Sequence, residues 1–253
     1  MARNSNVQSR NSGKKARKEQ LYTEMGVVEP SHVRFQAQKF PKLEPQSYRQ
    51  EDYIEAIKNK DIVFALGSAG SGKSYVATHY AAELLYYKKI DKIILTRPAV
   101  EACGEELGFL PGELVEGKMM PYLTPYMETF NELLGKSFVE YCLKVGSIEP
   151  VPLAYMRGRS FGSLNNGCLI LADEMQSATP MQMKLLLTRI GNNTKMLING
   201  DIDQRDKYEA TGLEDAIGKL RLLEEVEVIQ FTDDDCVRSG VCKKVLKAYS
   251  GYR

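Results

Sequence analysis

The chain has 253 residues, a formal net charge of +1 and 43% hydrophobic residues, which is enough apolar material for a buried core. No segment approaches the roughly 20 consecutive apolar residues of a transmembrane helix, and no charged start followed by an apolar stretch resembles a signal peptide. The five cysteines are scattered and odd in number, so we expect reduced thiols in a cytoplasmic protein without membrane attachment.

The first part of the chain differs in composition from the rest. Residues 1–20 are basic and polar with almost nothing to bury, so we expect disorder there. Such a tail could contact nucleic acid or could simply be solvated. Residues 21–45 contain three prolines without clear periodicity, which favours an arm lying on the surface. The sequence therefore predicts an extension over 1–45 and one domain over 46–253.

Short apolar runs alternate with helical patterns along this domain. The predicted strands cover 61–67, 92–98, 168–174, 194–201 and 226–231. The predicted helices cover 46–60, 73–89, 179–191, 213–223 and 241–249, with further helical material over 119–145 after a long loop. A capping box of Thr179 and Gln182, with Pro180 in the first turn, marks one helix start. The alternation predicts an α/β fold with a mainly parallel sheet flanked by helices.

The stretch from Gly67 to Ser74 reads GSAGSGKS and matches the pattern G-x-x-x-x-G-K-[ST] between a strand and a helix. Glycines let such a loop curl, so that backbone N–H groups and the helix N-terminus face phosphate oxygens. We expect Lys73 to reach the β- and γ-phosphates of a nucleoside triphosphate and Ser74 to bind Mg²⁺. The predicted nucleotide-contacting residues are Gly67, Ser68, Ala69, Gly70, Ser71, Gly72, Lys73, Ser74 and Tyr75.

Two acids end the strand at 168–174. Asp173 stands where a carboxylate that holds Mg²⁺ is expected, and Glu174 adds a carboxylate able to polarise an attacking water. A kinase has less use for this second acid because its nucleophile is the substrate, so the pair favours hydrolysis. His79, in the helix after the glycine loop, is interpreted as a packing residue.

A third strand ends in polar residues. Asn199, Gly200 and Asp201 close the run at 194–201, and Gln204 follows within reach of a nucleotide at the neighbouring strand end. Gln204 could sense the γ-phosphate, or the segment could be a plain exit from strand to turn.

Six segments together resemble the PhoH-like ATPases, P-loop proteins related to superfamily one helicases and named for phosphate-starvation genes. They are "GSAGSGKS", "ILTRPAVEACGEELGFLPGELVEGK", "PLAYMRGRSF", "LILADEMQSATPMQMKLLLTRIG", "NGDIDQ" and "CVRSG". The resemblance implies a RecA-like P-loop NTPase that binds and hydrolyses ATP with Mg²⁺. It also implies adenine recognition by Gln50, a place near nucleotide or nucleic acid for 96–98, γ-phosphate sensing by Gln204, and an arginine, Arg238, facing the γ-phosphate, either in its own subunit or in a neighbouring one.

The expected partners follow from a loop and from domain number. The segment "AYMRGRSFG" holds Tyr155, Arg157, Arg159 and Phe161, which could grip phosphate and stack a base, or could contact the protein's own nucleotide or a neighbour. Related helicases place ATP between two such domains, whereas this chain has length for one. We therefore expect a ring-shaped homo-oligomer, a hexamer, with an arginine supplied in trans.

The function that these patterns favour is an ATPase coupled to RNA or single-stranded nucleic acid, helicase-like in type. Two alternatives remain open at this point. One is a P-loop kinase that phosphorylates a small molecule, which the strand-end pair of acids disfavours. The other is a non-catalytic scaffold that binds ATP in order to assemble a complex.

Overall fold

In the computed structural model the described residues are 39–98, 119–202 and 211–250. The chain divides after Phe40, and the unit Pro41–Arg253 carries the fold. Three sequence-based expectations lie mostly or wholly outside the described residues: the extension over 1–45, the long loop over 99–118, and Gln204. The domain boundary at 45/46 therefore stays a prediction.

A single sheet organises the fold, and all pairings among its described strands are parallel. In chain order the strands are β1 (Ile62–Leu66), β2 (Lys92–Thr96), β3 (Ile148–Pro150), β4 (Cys168–Ala172), β5 (Thr194–Gly200) and β6 (Val226–Gln230). Their order across the sheet is β3-β2-β4-β5-β1-β6. In register, Leu66 pairs with Gly200 and Thr96 with Ala172, so the carboxyl ends of four neighbouring strands meet at one edge.

Seven helices precede, connect or follow these strands in the described part of the chain. They are α1 (Tyr48–Asn59), α2 (Lys73–Tyr86), α3 (Thr124–Leu134), α4 (Lys136–Val145), α5 (Pro180–Leu187), α6 (Gly212–Leu220) and α7 (Gly240–Ser250). The capping box predicted for α5 is confirmed, because Thr179 Oγ1 accepts from Gln182 N and Gln182 Oε1 accepts from Thr179 N. Short 3₁₀ turns lie at Met120–Leu123, Leu153–Met156, Met175–Ser177 and Asp233–Asp235.

The structure differs from the sequence prediction at three elements. The helical material over 119–145 is interrupted at Gly135, whose φ of +84° takes the chain out of helical geometry between α3 and α4. Helix α5 ends at Leu187 rather than near Gly191, because Ile190 forms a bridge with Phe161 and Gly191 N donates to Phe161 O. Strand β3 was not predicted, since it is only three residues long and ends in Pro150.

The core lies on both faces of the central strands. Strand β4 is buried along its whole length, and β1 and β2 are buried at all positions but the first, which explains their nearly continuous apolar sequences. His79 is also buried, as expected of a packing residue, and burial lowers the pKa of its imidazole.

Within residues 39–98, 119–202 and 211–250, no helix combines the length and apolarity needed to cross a membrane.

Candidate functional site

The carboxyl edge of the sheet carries a pocket of about 370 Å³. The glycine loop after β1, the acids after β4, the end of β5 and the segment after β6 all contribute to its lining. Open parallel sheets bind ligands at this edge, where the strands end and their loops diverge. The predicted site residues that line it are Gly67, Ala69, Gly70, Gly72, Lys73, Ser74, Tyr75, Asp173, Glu174 and Arg238.

The side chain of Gln50 fixes the glycine loop through a hydrogen bond to its backbone. The Nε2 of this buried side chain donates to Ser71 O over 2.9 Å, and its Oε1 accepts from Gln46 N over 2.9 Å. Gly72 has a φ of +82°, which favours glycine, and a Cβ there would lie 2.5 Å from Gln50 Nε2 and displace the amide that bonds to the loop. Gln50 therefore braces the loop, and its role in adenine recognition stays a prediction.

Lys73 lies across the concave side of the loop. Its Nζ donates to Gly67 O over 2.6 Å, to Ser68 O over 2.8 Å and to Ser71 Oγ over 3.0 Å. Burial lowers the pKa of this ammonium group, and the charge of Asp201 is the strongest of the carboxylate influences that oppose the shift. The cation thus occupies the part of the pocket where the loop would cradle phosphate oxygens.

Ser74 and Asp173 meet at the base of the pocket. The Ser74 hydroxyl donates to Asp173 Oδ2 over 3.4 Å. Burial, and then the adjacent Glu174 carboxylate, raise the pKa of Asp173. A divalent cation would offset both effects, and a hydroxyl beside a carboxylate is the hard oxygen donor set that Mg²⁺ prefers. The residues present therefore fit a magnesium ion.

Tyr126 also lies at this donor pair and was not predicted as a site residue. Its ring is 3% exposed, and its hydroxyl lies against Ser74 and Asp173. The hydroxyl has no partner at full hydrogen-bond geometry among the described residues. In the sequence it reads as an ordinary core aromatic of a helix, so no local pattern could have marked it.

Glu174 is oriented by Gln176, a second residue that sequence reasoning missed. Gln176 Nε2 donates to Glu174 Oε2 over 2.6 Å, and Gln176 Oε1 accepts from Asp201 N over 3.1 Å. Glu174 itself has a φ of +54°, in the left-handed region that is unusual for a residue other than glycine. The one sequence signal for the orientation of Glu174 by Gln176 is that Gln176 follows the two acids closely along the chain.

Arg238 lies in the pocket of its own chain. Val237 N donates to Gly70 O over 2.9 Å, and a Cβ on Gly70 would lie 2.9 Å from Arg238 Cδ, so the segment after β6 packs directly on the loop. The positive charge of Arg238 contributes to lowering the pKa of Lys73. This geometry gives Arg238 access to the pocket without a second subunit, and so favours action in cis over the supply in trans that the sequence predicts.

The end of β2 supports the acidic pair from the other side. Thr96 O accepts from Asp173 N over 3.0 Å. The Arg97 guanidinium lies 4.7 Å from the centre of the Tyr122 ring and donates to Tyr122 O over 3.3 Å. Its charge acts on Asp173 and partly offsets the raised pKa of that carboxyl group. Arg97 therefore lies close enough to influence Asp173, although it does not line the pocket.

The segment around Tyr155 is only partly available for binding. Phe161 is 3% exposed in the core, so the expectation that it stacks a base is wrong. Arg159 Nη2 pairs with Glu149 Oε1 over 2.8 Å, and the Arg159 guanidinium lies 4.7 Å from the centre of the Phe161 ring, which gives Arg159 a structural role. Tyr155, at 60% exposure, and Arg157 remain accessible.

These features define a class of protein. A parallel sheet in which β5 separates the glycine-loop strand from the acidic strand, with a GSAGSGKS loop at its carboxyl edge, is a P-loop NTPase domain of RecA-like fold. A family model described as "PhoH-like protein" matches residues 42–250, and the chain belongs to this family.

Similar proteins agree with this assignment. The chain is 40% identical over 243 residues to "Protein PhoH" of Escherichia coli (strain K12), covering 93% of this chain and 67% of that protein. It is 44% identical over 202 residues to a "PhoH-like protein" of Bacillus subtilis (strain 168), covering 79% of this chain and 61% of that protein. The HK97 bacteriophage large terminase is similar in fold, with a TM-score of 0.51 at 10% identity over 84% of this chain and 48% of that chain.

Proposed function

We propose that the protein binds ATP with Mg²⁺ at the carboxyl edge of the sheet and hydrolyses it, and that hydrolysis is coupled to RNA or single-stranded nucleic acid. The observation that carries the proposal is the convergence of Lys73, Ser74, Asp173 and Glu174 on one pocket. Each of these side chains has a distinct task in phosphoryl transfer to water, and all four lie within the same cavity.

The glycine loop and the side chains of Lys73 and Arg238 bind the phosphates of ATP in this proposal. Backbone N–H groups of the loop and Lys73 bind the β- and γ-phosphates, because the loop and the N-terminus of α2 present partial positive charge there. Arg238, beside Gly70, stabilises negative charge that develops on the transferred group. Ser74 and Asp173 hold Mg²⁺, which when bound neutralises phosphate charge.

Glu174 acts as the general base for the attacking water in this proposal. Its carboxylate accepts a hydrogen bond from Gln176 at one oxygen, which leaves the second oxygen to orient water and accept its proton. A kinase would place a substrate hydroxyl at this point. The second acid therefore supports hydrolysis over transfer to a small molecule, and the complete set of polar residues supports catalysis over a purely scaffolding role.

Coupling to nucleic acid is supported by the exposed Tyr155 and Arg157. They follow β3, so they lie on the loops at the same edge of the sheet as the pocket. An exposed aromatic ring beside an arginine can stack a base and contact phosphate. We further propose that the protein works in the cytoplasm as a ring-shaped homo-oligomer, a hexamer, as expected for a chain with one RecA-like domain.

The testing experiment is steady-state ATP hydrolysis by the full chain, with and without single-stranded RNA, beside Lys73→Ala and Glu174→Gln. We expect RNA to raise turnover several-fold. We expect Glu174→Gln to stop turnover while ATP still binds, and Lys73→Ala to lose both. Wild-type turnover in Lys73→Ala would overturn the site assignment. A rate that ignores RNA would overturn the coupling, and phosphorylation of an added acceptor would favour the kinase.

A further inference from the structure

Tyr126 is a buried polar residue to which the proposed reaction gives no task. It is the third residue of α3, which packs against α2, the helix that carries Lys73 and Ser74. The side chain is 3% exposed. Its hydroxyl lies against Ser74 and Asp173 without reaching full hydrogen-bond geometry to either, and no other described residue satisfies it.

A neighbouring tyrosine shows what a satisfied hydroxyl looks like in this core. Tyr53 is fully buried, and its hydroxyl donates to Asn199 Oδ1 over 3.1 Å. Leaving a buried hydroxyl without a partner is unfavourable, so such a group in a native protein calls for a reason. For Tyr126 the candidate acceptors within reach are the two residues that fit a magnesium ion.

The chemistry of the three groups determines which one donates. A phenol has an ordinary pKa of about 10 and is protonated at neutral pH, so the Tyr126 hydroxyl can donate a hydrogen bond. An ionised carboxylate only accepts hydrogen bonds, so a hydroxyl that lies against Asp173 is placed to donate to it. Ser74 now donates to Asp173, but a serine oxygen that binds a cation turns its lone pairs toward the metal.

We propose that Tyr126 is a positioning residue for the magnesium site, donating its hydroxyl to Asp173 and so orienting that carboxylate when Ser74 is engaged by the cation. The inference rests on the proposed function, and specifically on Mg²⁺ at Ser74 and Asp173. It assigns to α3 a direct part in metal binding, through a residue that touches the metal ligand rather than the metal.

The test compares Tyr126→Phe with Tyr122→Phe in the full chain. Tyr122 is a matched control, because its hydroxyl is also buried without a partner, one turn earlier, but it lies beside Arg97. Binding of a non-hydrolysable ATP analogue is titrated calorimetrically at a series of Mg²⁺ concentrations and in EDTA. We expect Tyr126→Phe to raise the Mg²⁺ concentration for half-maximal enhancement of binding about tenfold, the effect of one hydrogen bond to a charged group.

Three readings separate this role from a merely structural one. In EDTA the analogue should bind Tyr126→Phe as it binds the wild type, and thermal melts without ligand should be similar. Tyr122→Phe should keep the wild-type Mg²⁺ dependence. In an Asp173→Asn background, Tyr126→Phe should cause no further change in Mg²⁺ dependence, because the acceptor has been altered.

Four outcomes would contradict the positioning role of Tyr126. An unchanged Mg²⁺ dependence in Tyr126→Phe, an equal loss of binding in EDTA, or the same shift in Tyr122→Phe would each overturn the proposal. If Tyr126→Phe melts far below the wild type, the residue is a packing element and the proposal also fails. Absence of any nucleotide binding by the wild type would instead overturn the proposed function, and the inference with it.

Discussion

Gln176 donates a hydrogen bond from Nε2 to Glu174 Oε2 over 2.6 Å. The same amide accepts from the backbone N–H of Asp201 over 3.1 Å, so one buried side chain joins the acid after β4 to the end of β5. The amide group cannot rotate without breaking both bonds, since its two ends are chemically different. Glu174 is thereby held in one orientation by the neighbouring strand.

We expect Gln176→Leu to lower kcat for ATP hydrolysis by about 10- to 100-fold with little change in nucleotide affinity, because it removes the group that orients the general base. Steady-state kinetics and binding of a non-hydrolysable analogue measure the two effects. Gln182→Ala is the control, since this glutamine also bonds to a nearby backbone group but caps α5 away from the acids. Equal losses in kcat and affinity would indicate a general distortion of the pocket.

Arg238 lies beside Gly70 of its own chain, so we expect it to act in cis. Arg238→Ala should lower turnover by about 10³-fold, the effect of losing an arginine at a phosphoryl-transfer site. Mixing Arg238→Ala chains with Lys73→Ala chains should restore no activity, because no subunit then has both residues in one pocket. Recovery of turnover on mixing would show that the arginine is supplied by a neighbouring subunit.

Tyr155 is an exposed aromatic residue that follows β3, at the same edge of the sheet as the pocket. We expect Tyr155→Ala to weaken binding of single-stranded RNA by about 1–3 kcal/mol, the contribution of one stacked base. Fluorescence anisotropy with a labelled oligonucleotide measures the change, and ATP hydrolysis without RNA should stay the same. Tyr87→Ala is the control, because Tyr87 follows the far end of α2 and lies at the opposite edge. Equal effects of the two substitutions would argue against a defined stacking site.

Glu149 forms ion pairs with Lys92 over 2.7 Å and with Arg159 over 2.8 Å. Burial acts to raise the pKa of Glu149, but the hydrogen bonds and charges of the two cations outweigh it and lower the pKa overall. A lowered pKa in the folded state contributes stability above the pKa of the unfolded chain, and this contribution is lost as pH falls through the folded value.

Glu149→Gln should therefore lower the free energy of unfolding by about 1 kcal/mol at pH 7, because the pairs are partly exposed and screened by solvent. The difference from the wild type should shrink as the pH falls below about 4.3, the ordinary pKa of glutamate, and then through the lowered pKa of Glu149 in the folded state, where the wild-type carboxyl group takes up a proton. Urea unfolding of the two proteins at neutral pH and at acidic pH measures this difference in the free energy of unfolding. A difference independent of pH would mean that the pairs contribute packing rather than charge.

The loop and the acids could be predicted because their signals are local. Gly67 to Ser74 lie in a fixed pattern between a strand and a helix, and Asp173 and Glu174 end an apolar run. The parallel sheet was predicted correctly for the same reason, since its buried strands are short continuous apolar runs separated by helices. Strand β3 was missed because three residues ending in proline carry no periodic signal.

Side chains that act across the fold could not be predicted in this way. Phe161 and Arg159 looked like a nucleic-acid motif, yet the ring is buried and the guanidinium is paired with Glu149. Tyr126 looked like a core aromatic, yet its hydroxyl lies against Ser74 and Asp173, the proposed magnesium ligands. An aromatic or arginine side chain suits both roles, and only its surroundings in three dimensions select one.

The sequence by itself determined the parallel α/β fold, the phosphate-binding loop and the two acids, because backbone preferences and the pattern of apolar residues are set by neighbours along the chain. The tertiary structure alone decided that β5 lies between β1 and β4, that Gln176 links Glu174 to Asp201, and that Arg238 enters the pocket of its own chain. These relationships join residues far apart in sequence, and they depend on the order in which the strands pair, which local patterns leave open.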